Sequence, residues 1–313
     1  MDEAFFCAPA IPIDRIWTIE QQAPNLILWA APAILLITAI ELVVTYIQEK
    51  PYYEKWETLG SLLVGLGSLV VGAGIKFSLL YGVIWIYNQL PWRMALSWWT
   101  LIPCYLIFDF FSYWAHRVSH ENRFWWATHV VHHSGEHYNL SVSFRLSWIQ
   151  NLKIIFFLPV AFVGFHPIVF FTVSQLAVLF QFWVHTEYIH KLPRWIEFIF
   201  ATPSNHRVHH GSQEKYIDKN FGATFIFWDR LFGTYQPEEE RPVYGITTNI
   251  DQKANPFHIN FHELQDIIRD VKQAKGFRQK WFYAFGSPVE VARRKQRMSQ
   301  QAVTPQDADS LVG

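Results

Sequence analysis

Residues 97–120 read SWWTLIPCYLIFDFFSYWAHRVSH, an apolar run that passes without a break into a pair of histidines. The apolar part, residues 97–115, is about as long as a helix must be to cross the hydrocarbon core of a bilayer. It carries one charged residue, Asp109, and it ends directly before His116 and His120. Because residues four apart share one face of a helix, the two imidazoles are predicted to point the same way. The stretch therefore predicts a membrane helix with a metal-binding end.

Apolar stretches on both sides of this helix predict an integral membrane protein built from helices. Two stretches precede it, at residues 24–47 and 59–87, and each is long enough to span a bilayer. A third, at residues 154–183, is broken by GFHP at 164–167, which predicts a helical hairpin that enters the membrane and returns. The predicted fold class is all-α, with about three spanning helices, one hairpin and a histidine-rich helical cap.

The composition agrees with a membrane location and excludes several kinds of protein. Apolar residues make up 51% of the 313 residues and charged residues only 17%, against about 25% charged in a typical globular protein. The formal net charge is zero, which argues against a nucleic-acid-binding protein. Cys7 and Cys104 lie far apart, so the chain has no CxxC metal site and no disulfide framework.

The distribution of Lys and Arg predicts the orientation in the membrane. Residues 48–58 and 116–152 carry most of the positive charges of the short loops. The positive-inside rule then predicts a multi-pass protein whose histidine face and C-terminus are cytoplasmic. We expect a single membrane domain over residues 1–285, with histidine motifs at 116–137 and 185–210. The polar residues 286–313 have little to bury and are predicted to be disordered.

The histidines are concentrated in two short segments. Six of the fourteen lie within residues 116–137, and three lie within residues 206–210. The pattern HxVHH occurs twice, at residues 129–133 and 206–210. On a helix, the last two histidines of this pattern fall on either side of the first. Three imidazoles can then cap one ion, or two can cap it while the third reaches a neighbouring ion.

The ligand set indicates a pair of metal ions, although it does not identify the metal. Imidazole suits zinc, copper, iron and nickel alike. A structural zinc site is closed by four ligands, usually including thiolates, and this chain has no clustered cysteine. Soluble di-iron bundles use Glu-x-x-His motifs, whereas few carboxylates lie near these histidines. Isolated histidines such as His166, His258 and His262 are interpreted as ordinary polar residues.

These segments resemble the fatty acid hydroxylase/sterol desaturase superfamily of membrane di-metal enzymes, and within it the subfamily that cleaves the ether bond of alkylglycerols. The matching segments are DFFSYWAHRVSHE (109–121), HVVHHSGEHYNL (129–140), QFWVHTE (181–187), TPSNHRVHHG (202–211), IDKN (217–220) and FWDRLFGT (227–234). Carried over position by position, the resemblance implies metal ligation by His116, His120, His129, His132, His133, His185, His206, His209 and His210.

Two acidic residues and one further histidine complete the candidate site. Glu121 follows the HxxxH pair and matches an acidic position of the subfamily, as a ligand or as an acid behind a ligand. Asp109 lies about two helical turns before His116 and is predicted to hold an imidazole N–H. His137 stands where the subfamily carries an acidic residue, so its role and that of His190 stay open.

The resemblance implies an oxidoreductase, a di-iron monooxygenase that uses O2 to hydroxylate the alkyl chain of a lipid taken from the bilayer. Cleavage of the ether bond of alkylglycerols is one outcome of that chemistry. Two irons are expected in the active protein, and zinc can substitute for them in purified protein. An external electron donor is implied, either tetrahydrobiopterin, a ferredoxin or a separate cytochrome b5. The alternatives are a sterol or fatty acyl hydroxylase or desaturase, and a membrane metal-binding protein without enzymatic activity.

Overall fold

The computed structural model describes residues 3–303. Within these residues there is no β-strand, and two isolated bridges are the only extended pairings, so the predicted all-α class is confirmed. Short 3-10 helices lie at Ile13–Arg15, Trp98–Thr100, Leu140–Phe144 and Gln150–Phe157. The α-helices are α1 Glu3–Phe6, α2 Ile16–Gln22, α3 Leu26–Ile47, α4 Lys55–Gln89, α5 Leu101–Glu121, α6 Arg123–Trp126, α7 Val130–His133, α8 Leu158–Phe162, α9 Pro167–Phe182, α10 Arg194–Ile199, α11 Pro203–His209, α12 Phe227–Phe232, α13 Pro256–Gln273, α14 Phe277–Phe285 and α15 Pro288–Val303.

Two helical segments of the described chain are long and apolar enough to cross a membrane. One is Ile13–Ile47, which includes α3, and the other is α4. They contain the stretches predicted to span at residues 24–47 and 59–87. Their outward faces are apolar and open, with Trp29 and Val70 each 68% exposed. Because a contiguous apolar surface of this kind suits lipid and not water, the chain is a membrane protein.

The third predicted span and the predicted hairpin are also helical, but neither is among the helices long and apolar enough to cross a membrane. The helix α5 has 21 residues and ends in the polar segment that carries His116 and His120. The hairpin consists of the apolar helices Gln150–Phe162 and Pro167–Phe182. At the turn between them Gly164 has a φ of 90°, which glycine adopts at no steric cost, and an added Cβ would lie 2.8 Å from the Trp92 carbonyl oxygen. Glycine is therefore required where the hairpin reverses.

In the main hydrophobic core the hairpin packs against both α4 and α5. The ring of Phe108 on α5 stacks on Phe157 with centroids 4.4 Å apart and meets Phe170 of α9 edge-on. Cys104 and Val173 are fully buried in the same cluster. Because the histidines of α5 follow directly after these residues, the core determines where the C-terminal end of α5 lies.

A buried carboxylate ties α3 to the loops that carry the histidines. Glu41 accepts hydrogen bonds from the Tyr53 hydroxyl at 2.5 Å and from the Leu140 N–H at 2.8 Å. It also accepts one from the hydroxyl of Thr186, which directly follows His185. A buried carboxylate requires donors of this kind, and a carboxylate with several donors specifies one arrangement of its neighbours. The membrane helix α3 therefore helps to position the histidine segments.

The chain after residue 286, predicted to be disordered, is instead helical over α15, and residues 304–313 lie outside the described part. Val291 is 2% exposed, and the Arg294 guanidinium lies 5.2 Å from the centroid of the Phe282 ring. Lys295 forms an ion pair with Asp270 of α13 at 2.6 Å. Residues of α15 are therefore buried by packing against α13 and α14, which the polar composition of the segment did not predict.

Arg123 connects these C-terminal helices to α6. Its buried guanidinium donates to Glu263 Oε1 and Asp270 Oδ2, both at 2.6 Å, and to the Tyr283 carbonyl oxygen at 3.0 Å. The Arg123 side chain therefore joins α6 to both α13 and α14.

Replacing Arg123 with Met is expected to lower the free energy of unfolding by about 3 kcal/mol, because buried carboxylates lose their partner. Thermal unfolding in detergent measures the effect. Arg269→Met is the matched control, since Arg269 makes an exposed pair with Asp266 worth at most about 1 kcal/mol. Equal changes in melting temperature for the two variants would contradict the assignment.

Candidate metal centre

The histidines implied as ligands converge in two adjacent groups. Within each group the ligand nitrogens all lie within 4.8 Å of one another. The rings of His133 and His210 stack across the boundary between the groups, with centroids 4.3 Å apart. The first group consists of His116, His120, His129, His133 and His209, and the second of His132, His185, His206 and His210.

Each HxVHH motif is divided between the two groups. In the motif at 129–133 the first and last histidines belong to the first group, and His132 belongs to the second. In the motif at 206–210 the first and last belong to the second group, and His209 belongs to the first. Residues i and i+4 are about 40° apart around a helix, whereas i+3 points about 60–100° away from them. Each motif therefore supplies two imidazoles to one group and one to the other.

Main-chain carbonyl groups orient several imidazoles from behind. A carbonyl oxygen only accepts hydrogen bonds, so a ring Nδ1 that contacts one carries the proton. The Nε2 atom of the same ring then presents a lone pair to the centre. The pairs are His116 Nδ1 with the Phe221 oxygen at 2.8 Å, His185 Nδ1 with the Gln181 oxygen at 2.7 Å and His209 Nδ1 with the Lys219 oxygen at 2.9 Å.

The inward-facing nitrogens approach one another closely. His185 Nε2 lies 3.0 Å from Nε2 of both His132 and His206. His209 Nε2 lies 3.1 Å from Nε2 of His133. Because His185 and His209 carry their protons on Nδ1, their lone pairs face the centre of each group. Nitrogen atoms arranged in this way fit a metal cation between them.

Buried nitrogens without partners support the same conclusion. Among the described residues, Nε2 of His116 and Nε2 of His120 have no hydrogen-bond partner. Leaving such an atom unsatisfied costs about 1–3 kcal/mol. Burial also lowers the pKa of His120, and it lowers the pKa of His185 to about 4. The imidazoles are therefore neutral near pH 7, which is the protonation state that binds metal.

One side of the centre is more open than the rest. His116, His129 and His132 are partly exposed, whereas the other six ligands are buried. Burial is the main cause of the lowered pKa of these three imidazoles, and the charge of Lys153 contributes to the shift at each of them. These three imidazoles are therefore the most accessible of the nine.

The structure does not bring Glu121 into the centre. Its carboxylate accepts a hydrogen bond from Arg117 Nε at 2.8 Å, and its side chain is 48% exposed. Position 121 lies about 100° around α5 from His120, which directs the side chain away from the imidazoles. The expected ligand role of Glu121 therefore has no geometric support.

Asp109 is buried but does not contact His116. Its carboxylate accepts hydrogen bonds from the main-chain N–H groups of Thr224 at 2.9 Å and Phe225 at 3.3 Å. It also accepts one from Trp228 Nε1 at 3.0 Å. These bonds hold the loop that follows Phe221 against α5, and the Phe221 carbonyl in turn orients His116. Asp109 acts on His116 through that loop and not by the direct contact that the sequence predicted.

The two histidines with open roles lie outside both groups. His137 Nδ1 is 3.0 Å from Glu57 Oε2, and this hydrogen bond raises the pKa of His137. The same Glu57 oxygen accepts the main-chain N–H groups of Glu136 and His137. His190 is exposed. His137 therefore helps to hold the loop after the first HxVHH motif.

The turn at residues 217–220 was not recognised as part of the site. Asp218 Oδ1 lies 3.5 Å from His120 Nδ1. Asp218 and Asn220 have φ values of 58° and 57°, in the left-handed region that Asn and Asp tolerate better than most residues. This backbone path directs the carbonyl of Lys219 at His209. In the sequence, the IDKN motif indicated only the resemblance to the family. Its Asp and Asn, which tolerate the left-handed region, were the signal for this turn.

Residues 101–234, which contain all nine clustered histidines, match the family model for fatty acid hydroxylase. The chain is 36% identical to alkylglycerol monooxygenase from Homo sapiens over 88% of its length, and 34% identical to that from Xenopus tropicalis over 86%. The chain spans 62% and 60% of the lengths of these two relatives, less than two thirds of each.

A more distant similarity links the chain to a bacterial protein. It is 24% identical to ornithine lipid hydroxylase OlsE from Rhizobium tropici, over 72% of this chain and 75% of that protein. No solved structure matches the chain.

The division of the HxVHH motifs predicts the effect of single substitutions on metal content. His132→Ala and His209→Ala are each expected to lose at least one of about two bound ions, since each removes a ligand from a different group. Metal analysis of purified protein measures this. His190→Ala, at an exposed site, is expected to keep both ions. Unchanged metal content in the first two variants would mean that the groups do not bind metal.

The two acidic residues are expected to behave differently. Asp109→Ala leaves three buried N–H groups without an acceptor, so it is expected to cost about 3 kcal/mol of stability and to reduce bound metal. Glu121→Ala is the comparison variant and is expected to change stability by less than about 0.5 kcal/mol, with full metal content. Melting temperature and metal analysis together test this. Loss of metal in Glu121→Ala alone would reverse the assignment.

Proposed function

We propose, on the premise that residues 101–234 are a domain of the fatty acid hydroxylase family, that this chain is a membrane-bound, O2-dependent oxygenase that hydroxylates the alkyl chain of a lipid. One observation carries the proposal. Among the described residues, nine imidazoles form two adjacent groups at the end of apolar helices, and neither group includes a carboxylate or a thiolate. This set suits two metal ions with a coordination position left for a reactant.

We assign iron to both groups. Iron supplies the activation of O2 that attack on an unactivated alkyl carbon requires. Zinc is expected to occupy the same nitrogens in purified protein without that chemistry. The chain itself keeps the imidazoles neutral by burial and fixes their orientation through carbonyl groups such as those of Phe221 and Lys219. The core around Phe108 excludes water from the side that faces the membrane helices.

The proposed membrane arrangement has α3, α4 and α5 crossing the bilayer while the hairpin of α8 and α9 enters and returns. The histidine face and the C-terminus then lie in the cytoplasm. The basic loops at residues 48–58 and 116–152 support this orientation. The lipid substrate reaches the centre from the bilayer, so its alkyl tail stays in apolar surroundings.

The proposed substrate is an alkylglycerol, as the names of the relatives suggest. Insertion of one oxygen atom at the carbon bonded to the ether oxygen gives a hemiacetal, which separates into an aldehyde and glycerol. The second oxygen atom leaves as water, and an external donor supplies two electrons and two protons. For that donor we propose tetrahydrobiopterin, with a ferredoxin or a separate cytochrome b5 as alternatives. No nucleophilic side chain is needed for the cleavage.

Hydroxylation of a lipid without ether cleavage is the second candidate. The similarity to ornithine lipid hydroxylase OlsE favours it, because that name describes the hydroxylation of a lipid. The same two histidine groups serve either reaction. The two candidates differ in the lipid held at the open side of the centre.

Iron-loaded protein in liposomes, supplied with an alkylglycerol and reduced pterin, is expected to consume O2 and to release aldehyde in equal amount. An oxygen electrode and mass spectrometry measure both. His132→Ala is expected to be inactive, and His190→Ala active. Hydroxylated ornithine lipid with no aldehyde from alkylglycerols would favour the second candidate. Metal binding without O2 consumption on any lipid or donor would indicate a membrane metal-binding protein instead.

A further inference from the structure

A cavity of about 450 Å³ lies between α3 and α4, at the end where a short loop joins the two helices. Lys50 of the loop and Lys55, the first residue of α4, line one part of it. Another part is lined by Leu42 of α3 and by Leu59 and Leu62 of α4. Leu62 lies about 10 Å further along α4 than Lys55. The cavity therefore has a charged end at the loop and an apolar end between the helices.

This cavity crosses the predicted boundary of the membrane. The apolar stretches predicted to span are residues 24–47 and 59–87, so the three leucines lie inside them and both lysines lie outside. Tyr46 and Trp56, which are close to the lysines in sequence, are exposed. Aromatic side chains of this kind are enriched where a bilayer meets water. A molecule that fills the cavity therefore has its polar part at the membrane surface and its apolar part in the hydrocarbon.

Neither lysine is paired with an acidic group. Within residues 3–303, neither ammonium forms an ion pair or a hydrogen bond, and Lys55 Nζ lies 4.9 Å from the centroid of the Trp56 ring. The acidic residues of the same loop, Glu49 and Glu54, do not line the cavity. Glu54 Oε2 accepts the main-chain N–H groups of Trp56 at 2.9 Å and Glu57 at 2.8 Å. Two such ammonium groups at a membrane surface attract the acidic head group of a lipid.

We propose that this cavity binds one anionic phospholipid of the surrounding bilayer. The ammonium groups of Lys50 and Lys55 donate hydrogen bonds to its phosphate oxygens, and an acyl chain lies against Leu42, Leu59 and Leu62. The volume suits the phosphate and the first part of the chain, and the rest of the lipid stays in the bilayer. This inference rests on the membrane arrangement proposed above, in which α3 and α4 cross the bilayer, and it does not depend on the reaction.

The lipid site is separate from the metal centre but connected to it. None of the nine clustered histidines lines the cavity. Tyr53, which does line it, donates to Glu41 at 2.5 Å, and Glu41 also accepts the hydroxyl of Thr186, the residue after His185. A lipid in the cavity packs against this hydrogen-bonded group. It is therefore expected to stabilise the folded protein without being oxidised.

Binding is measured on delipidated, zinc-loaded protein in a neutral detergent, so that no turnover interferes. Phosphatidylglycerol is the probe, phosphatidylcholine is the lipid without net charge, and inorganic phosphate separates a lipid site from a phosphate site. Native mass spectrometry counts the bound lipid, and thermal unfolding measures the stabilisation. Wild-type protein is expected to keep one phosphatidylglycerol and to melt at a higher temperature with it. Phosphatidylcholine and inorganic phosphate are expected to stabilise it less at the same concentration.

The double variant Lys50→Gln/Lys55→Gln is expected to bind phosphatidylglycerol about 25-fold more weakly, since each lysine at a membrane surface contributes about fivefold. The control is Lys275→Gln/Lys280→Gln, which removes the same charge at exposed positions outside the cavity and is expected to bind as the wild type does. Leu62→Trp keeps both charges and fills the apolar end, so it is expected to retain less than one phosphatidylglycerol per protein.

Equal affinity in the lysine variant and its control would overturn the proposal, as would equal stabilisation by phosphatidylcholine or by inorganic phosphate. Displacement of phosphatidylglycerol by an alkylglycerol would assign the cavity to the substrate and would also overturn it. If the iron-loaded protein oxidises no lipid, the proposed function fails. Retention of one phosphatidylglycerol that depends on both lysines would still support the lipid site in that case.

Discussion

The convergence of nine imidazole nitrogens on one small volume is the constraint on which the structure depends. Inward-facing nitrogen atoms lie about 3 Å apart, a separation that suits either a shared proton or a cation between them, and the surrounding protein holds them there. Carbonyl groups behind the rings impose the tautomer, and burial removes competing protons. The protein therefore holds neutral imidazoles in positions that suit metal binding.

Buried polar side chains connect the segments that carry the histidines to the apolar helices. Glu41 of α3 bonds the Leu140 N–H and the Thr186 hydroxyl, and Glu57 of α4 bonds the loop that contains His137. Arg145 is fully buried and donates to main-chain and side-chain oxygens of the first HxVHH segment. Each of these groups is costly to bury alone and stable only with its partners in place. The apolar helices thus position the metal centre as well as anchoring the chain.

The two groups are unequal, and their difference matters for chemistry. The first has five imidazoles and the second four, so the two proposed ions would have different numbers of protein ligands. The partly exposed imidazoles belong to both groups, so the proposed substrate would have access to either of the proposed ions.

The sequence by itself determined the features that depend on spacing along one helix. The lengths of the apolar stretches predicted α3, α4 and the hairpin, and the HxxxH and HxVHH spacings predicted which imidazoles share a face. These follow from the 3.6-residue turn, which is a local property. The helix at α15 was missed because its burial comes from α13 and α14, a contact that composition does not record.

Only the tertiary structure decided which groups meet across helices. Glu121 is adjacent to a ligand in sequence, yet it faces outward, whereas Asp218 lies far along the chain and contacts His120. The Phe221 carbonyl reaches His116 only because Asp109 holds the intervening loop against α5. The assignment of His132 and His209 to opposite groups likewise required both motifs to be packed together. Contacts of this kind depend on how helices pack. A sequence pattern shows which residues share a face of a helix, but it does not show which other helix that face packs against.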